Sequence, residues 1–85
     1  MKYSIIVPVY NRPEEVEELL ESLTTQTSQD FEVIIVEDGS EVPCRHVSER
    51  YAKRLRLHYY VKENGGPGAA RNYGAEHASG EWLIV

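Results

Sequence analysis

Two apolar runs rich in β-branched residues constrain this chain most: Ile5-Ile6-Val7-Pro8-Val9 and Val33-Ile34-Ile35-Val36. Neither run alternates apolar with polar residues. A strand with one wet face alternates, whereas a strand covered on both faces reads as continuous Ile and Val. Between the runs lies a helical pattern. Val16, Leu19, Leu20 and Leu23 follow the i, i+3, i+4, i+7 spacing of one apolar face. Pro13 stands where a helix opens and a missing N–H costs nothing. Glu14, Glu15, Glu17 and Glu18 crowd the turns where the helix dipole favours negative charge. Strand, helix, buried strand implies a right-handed crossover in a parallel sheet. The two strands then end side by side, the first at Tyr10-Asn11-Arg12 and the second at Glu37-Asp38-Gly39-Ser40. Tyr10 and Asp38 line one crevice, in the place where open α/β sheets bind ligands.

The alternation continues. Strands are expected over Ser4–Val9, Phe31–Val36 and Leu57–Val61, with a fourth beginning at Trp82 and running to Val85. A second helix is expected from about Pro43 to Leu55, with Val47, Tyr51 and Leu55 on one face. A third covers about Pro67 to Ala78 and is stopped by Gly80. Trp82 is expected in the core, packing a strand onto a helix.

Length and charge narrow the function. Eighty-five residues make at most one lean domain, burying roughly two thirds of its unfolded surface. A net charge of -5 argues against binding nucleic acid through phosphates. Arg45, Arg50, Lys53, Arg54 and Arg56 are interrupted by Glu49 and read as a solvated helix face. Cys44 is the only cysteine, which fits a reducing compartment and a cytoplasmic location. The apolar run after Lys2 is short and broken by Pro8, so neither a signal peptide nor a membrane segment is expected there. His46, His58 and His77 have no metal-ligand spacing.

Three motifs sit at loop positions. Asn64-Gly65-Gly66-Pro67-Gly68-Ala69-Ala70-Arg71-Asn72 opens the third helix, and glycines there allow close approach of a ligand or simply a tight turn. It is not the dinucleotide fingerprint, which needs its glycines after the first strand, and no Gly-Lys-Ser/Thr marks a P-loop. Glu37 and Asp38 can accept hydrogen bonds from a ribose hydroxyl or a base N–H, or can serve a turn. Tyr10 can stack on a base or sit half-buried.

The ordered set, strand–Pro8-Val9-Tyr10-Asn11-Arg12, strand–Glu37-Asp38-Gly39-Ser40, the Asn64–Asn72 glycine loop, and Gly80-Glu81-Trp82-Leu83-Ile84, resembles the N-terminal half of a family-2 glycosyltransferase of the GT-A fold. The resemblance covers Ser4 to Val85. It implies a Rossmann-like α/β parallel sheet of order 3-2-1-4 with helices on both faces. It implies a UDP- or GDP-sugar as donor and an acceptor hydroxyl. Pro8, Val9 and Tyr10 match the base-holding position, and Asp38 the residue that recognises the base. Glu37 is expected to help with the ribose or to orient Asp38, and Arg71 to offset phosphate charge. Gly65 and Gly66 keep the approach clear. The family's Asp-x-Asp motif, which holds Mg²⁺ or Mn²⁺ on the donor pyrophosphate, comes after the fourth strand and is not within these residues. These residues are therefore expected to bind the donor without transferring its sugar, and to self-associate through the fourth strand. The alternatives are a small non-catalytic α/β binding or assembly module and a Rossmann-like nucleotide-binding enzyme.

Overall fold

A computed structural model describes residues 2–84. Its elements are β1 (Tyr3–Val9), α1 (Pro13–Thr24), β2 (Phe31–Asp38), α2 (Arg45–Tyr51), β3 (Leu57–Lys62), α3 (Pro67–Glu76) and β4 (Trp82–Ile84). The four strands form one sheet of order β3-β2-β1-β4, and every pairing is parallel. The order expected from the sequence is the order found.

All eight residues of β2 are buried. Its odd-numbered apolar side chains Val33 and Ile35 join Val16, Leu20, Cys44, Val47, Tyr51 and Leu55 in a core under α1 and α2. Its even-numbered Ile34 and Val36 pack with Ala70 under α3. Helices thus cover both faces, and each buried Val, Ile or Leu contributes about 1.5–3 kcal/mol. The basic residues of the α2 region do face solvent, but two of them reach α1. Arg50 lies 2.6 Å from Glu17 and Arg54 lies 3.6 Å from Glu21. Such exposed pairs are worth about 0–1 kcal/mol each, so the apolar seam between the helices dominates.

Three expectations differ from the structure. The second helix is shorter, ending at Tyr51, because Arg54 N–H bonds back only three residues to the Tyr51 carbonyl and the chain tightens toward β3. Leu55 remains buried nonetheless. Gly80 does not stop the third helix, which ends at Glu76. It is instead a point of close approach: a Cβ on Gly80 would stand 2.6 Å from Ser4 Oγ and 2.7 Å from Ser4 N. Trp82 is not in the core. It is 61% exposed, because β4 is an edge strand that pairs with β1 only through Tyr3–Ile5 and has no neighbour beyond it among the described residues. Val85 lies outside the described residues.

A buried polar network that the sequence reading did not anticipate closes the amino end of the sheet. Ser4 Oγ donates to Glu32 Oε2 at 2.6 Å, and Ser79 N–H donates to the same oxygen at 2.7 Å. Gly80 N–H donates to Ser4 Oγ at 2.8 Å, and His58 Nε2 stands 3.3 Å from Glu32 Oε1. Burial pushes the Glu32 carboxyl up, but the Ser4 and Ser79 bonds and His58 outweigh it and leave the carboxyl below its ordinary value. The network ties the α3–β4 connection to β1 and β2. The only sequence signal for it is two polar residues, Ser4 and Glu32, inside otherwise apolar strands.

Gly74, on the sheet face of α3, tests this packing. A Cβ there would meet Ile6 Cγ2 at 2.6 Å and Val36 Cγ2 at 3.3 Å. Helix propensity alone would favour alanine by about 1 kcal/mol, while overpacking costs about 1–3 kcal/mol. Overpacking wins at so short a contact, so Gly74→Ala is expected to lower the urea midpoint; a raised midpoint would show that α3 can lift off the sheet freely.

Candidate functional site

Register brings the site together. Val9 of β1 pairs with Glu37 of β2, and Asp38 pairs with Lys62 of β3. Three parallel strands therefore finish level, and the loops after them share one edge. A cleft of about 320 Å³ opens there, lined by Pro8, Val9, Tyr10, Arg12, Asp38, Asn64 and Pro67. Tyr10 leaves half its surface, 50%, exposed at the rim.

Asp38 is the centre of this edge. Its Oδ1 accepts from Gly65 N–H at 2.9 Å and from Lys62 Nζ at 3.1 Å, and its Oδ2 accepts from Gly66 N–H at 3.0 Å. Asn64 Nδ2 donates to the Asp38 carbonyl at 3.1 Å. The carboxylate thus clasps the glycine loop to the end of β2. Gly66 has φ +90°, a conformation that glycine reaches without strain. Gly39 must also be glycine, since a Cβ would stand 2.8 Å from Asn64 N. Burial pushes the Asp38 carboxyl up, but the Gly65 N–H, the Lys62 ammonium and the Gly66 N–H outweigh it and hold the group below its ordinary range. Each carboxylate oxygen has two lone pairs, so Oδ2 keeps one acceptor position for a donor in the cleft.

Glu37 points the other way. Successive strand residues face opposite sides of a sheet, so Glu37 goes into the α1/α2 layer while Asp38 faces the glycine loop. It is not among the residues that line the cleft. Its Oε1 accepts from Cys44 N–H at 2.7 Å and from the Tyr59 hydroxyl at 2.8 Å, and Ser40 Oγ donates to its Oε2. Ser40 Oγ in turn accepts Asn11 N–H at 2.8 Å. Asn11, at φ +54°, returns its Oδ1 to Glu41 N–H at 2.7 Å and Val42 N–H at 3.0 Å. The loop that carries Tyr10 is thereby laced to the loop after β2, with Glu37 as buried anchor. Burial pushes the Glu37 carboxyl up, yet its bonds from Ser40, Cys44 and Tyr59 outweigh that and bring it below its ordinary value. The Cys44 thiol, desolvated and facing Glu37, is pushed up to about 12 and is inert at neutral pH.

Of the residues read from the sequence, the cleft brings together Pro8, Val9, Tyr10 and Asp38. Gly65 and Gly66 stand behind it on Asp38. Arg71 is exposed on α3 and does not line the cleft. Asn11, Arg12, Asn64 and Pro67 stand in the sequence motifs without an assigned role, and Lys62 stands outside them. An asparagine after a strand is a usable signal for a left-handed turn, but nothing in the sequence pairs Lys62 with Asp38. The residues present do not fit a divalent cation. Asp38 and Glu37 each have three of four carboxylate lone pairs taken by protein donors, and no group of three or more His, Cys, Asp or Glu side chains converges among the described residues.

A parallel sheet with helices on both faces and a cleft at its carboxyl edge defines an α/β ligand-binding domain of the Rossmann-like kind. Residues 4–85 match Glycosyl transferase family 2, and the chain belongs to that family. It is 40% identical over 82 residues to a glycosyltransferase of Rickettsia felis, covering 96% of this chain and 14% of the relative. It is 39% identical over 88 residues to the poly(ribitol-phosphate) beta-N-acetylglucosaminyltransferase TarS of Staphylococcus aureus, covering 99% of this chain and 15% of TarS. The crystal structure of S. aureus TarS 1–349 in complex with UDP-GlcNAc superposes with a TM-score of 0.91 at 40% identity, covering 100% of this chain and 26% of that one. The chain therefore spans a minor part of the length of these relatives. No helix among the described residues is long and apolar enough to cross a membrane.

The buried carboxylates set a direction for the pH dependence of stability. Glu32, Glu37 and Asp38 all have folded values below their ordinary ones. The unfolded chain then binds more protons in that window, so their contribution is full above the ordinary values and is lost as pH falls through the folded ones. Urea midpoints are expected to hold from about pH 7 to about pH 5 and to drop as the pH falls further, and Glu37→Gln is expected to make that drop shallower while lowering stability at neutral pH. A Glu37→Gln profile as steep as the parent's would mean the anchor does not titrate as described.

Proposed function

We propose that this chain supplies the donor-nucleotide site of a glycosyltransferase that moves a sugar from a UDP- or GDP-sugar to an acceptor hydroxyl. The observation that carries the proposal is the single cleft into which both Tyr10 and Asp38 open. The UDP-GlcNAc complex of TarS, on the same fold, supports it. Tyr10 offers its exposed ring as a stacking face for the base. Pro8 and Val9 form the wall beside it. Asp38 takes a base N–H on the remaining Oδ2 lone pair, which suits the imide of uracil or the N1–H edge of guanine. Gly65 and Gly66 hold Asp38 in place, and Arg71 offsets phosphate charge from α3. Glu37 serves the site from behind by fixing the loops. Mg²⁺ or Mn²⁺ acts in such a transfer, and its ligands lie outside this set of residues. The buried lone thiol of Cys44 supports a cytoplasmic location.

We further infer that the 85-residue chain pairs with itself at β4. The strand exposes Trp82, Leu83 and Ile84 at 61%, 50% and 46%, with no proline or lysine to block the edge.

Two outcomes are expected. Calorimetry with UDP and GDP should show Asp38→Ala weakened by about ten- to a hundredfold, the worth of a hydrogen bond to a charged partner. Tyr10→Ala should lose about tenfold from stacking without disturbing the glycine loop. Unchanged affinity in both variants would remove the base-site assignment. Light scattering across a concentration series should show self-association that Leu83→Lys suppresses; a monomer at high concentration with a cooperative melt would overturn the β4 contact.

A further inference from the structure

We propose that Lys62 is a positioning residue of the nucleotide site: its ammonium, 3.1 Å from Asp38 Oδ1, holds Asp38 as a charged acceptor clasped to the glycine loop, so that the cleft selects ligands presenting an N–H donor. The inference rests on the nucleotide-binding reading above and adds the residue that enforces it.

The geometry places Lys62 behind Asp38. Lys62 is the last residue of β3, directly paired with Asp38 in the sheet register. Its side chain is mostly buried, at 18% exposure, and does not line the cleft, whereas Asp38 does. The ammonium also donates to the Glu63 carbonyl at 2.6 Å, which fixes its position. A Cβ on Gly65 would stand 2.9 Å from Lys62 Nζ, so the glycine leaves just the room the ammonium occupies. Lysine here makes no contact a ligand would need to displace.

The surrounding charges sharpen the role. From the β1–α1 loop the cleft receives Arg12, but its guanidinium is engaged with Glu15 at 2.8 Å and is exposed. From β2, Glu37 faces the opposite layer. From the glycine loop come Glu63, which meets Lys62 through its carbonyl, and neutral Asn64. From α3 comes Arg71, exposed and not lining the cleft. Among these groups Lys62 is the cation in direct contact with the Asp38 carboxylate.

The chemical consequence is a choice of base edge. An ionised carboxylate is acceptor-only, whereas a protonated one also donates. An acceptor-only Asp38 favours an N–H edge and rejects the ring-nitrogen acceptor at the corresponding position of cytosine or adenine. Without Lys62, burial is opposed only by the two loop amides, the carboxyl moves up, and the protonated form becomes accessible in mild acid.

The test uses the full chain with Lys62→Gln, which keeps a donor but drops the charge, and Lys62→Arg, which keeps the charge. Two readouts are taken: carbon NMR titration of the Asp38 carboxyl, which needs no ligand, and UDP affinity across pH. In the parent and Lys62→Arg, UDP affinity is expected to change by less than about twofold between about pH 7.5 and about pH 5. In Lys62→Gln it is expected to fall about tenfold over that span, and the Asp38 titration is expected to move toward neutral pH. A merely structural lysine would weaken binding equally at every pH and leave the Asp38 titration where it was; that result overturns the proposal. If the parent binds neither UDP nor GDP, the nucleotide reading fails on its own, while the ligand-free Asp38 titration still decides whether Lys62 sets the charge.

Discussion

The burial of β2 on both faces is the constraint on which everything else depends. An eight-residue strand with no wet side must have a strand on each edge and a helical layer on each face. Leu20, Val47 and Tyr51 supply one layer, and Ala70 with Gly74 the other. The same burial dictates how the strand ends. Leaving the core, β2 places one carboxylate into each layer, and neither can remain buried without partners. Glu37 finds Ser40, Cys44 and Tyr59; Asp38 finds Lys62, Gly65 and Gly66.

Those two sets of bonds build the site. Glu37 organises the loop after β2 and, through Ser40 and Asn11, the loop after β1 that carries Tyr10. Asp38 organises the loop after β3. A pair of adjacent acidic residues thus braces three loops that the sheet brings to one edge. The cleft between them is a by-product of solving the burial problem twice, once on each face.

The far end of the sheet repeats the device. Glu32 is as deeply buried as Glu37, and its partners Ser4 and Ser79 come from β1 and from the connection into β4, with Gly80 N–H bonded in turn to Ser4. The carboxyl edge uses such bonds to shape a cleft; the amino edge uses them to set where β4 joins β1. The short β4 pairing, three residues against seven for β1 with β2, leaves the apolar side chains of β4 exposed. This is why Trp82, which reads as a core residue by its chemistry, lies at the surface.

By itself the sequence determined the parallel α/β fold and the edge at which the site forms, while the family resemblance supplied the strand order together with Pro8 and Val9. Continuous Ile and Val runs can be satisfied in few ways, and the ends of such runs name the crevice: Tyr10 and Asp38 were legible for that reason. The tertiary structure alone decided the division of labour at that edge. Whether Glu37 or Asp38 faces the cleft depends on which layer each carbon of the pleat points toward, and that follows from the register against β1 and β3. The partnership of Asp38 with Lys62 joins residues 24 positions apart through a β-ladder. No local pattern encodes such a contact, because it exists only once two strands have been aligned and a helix has been packed to hold them there.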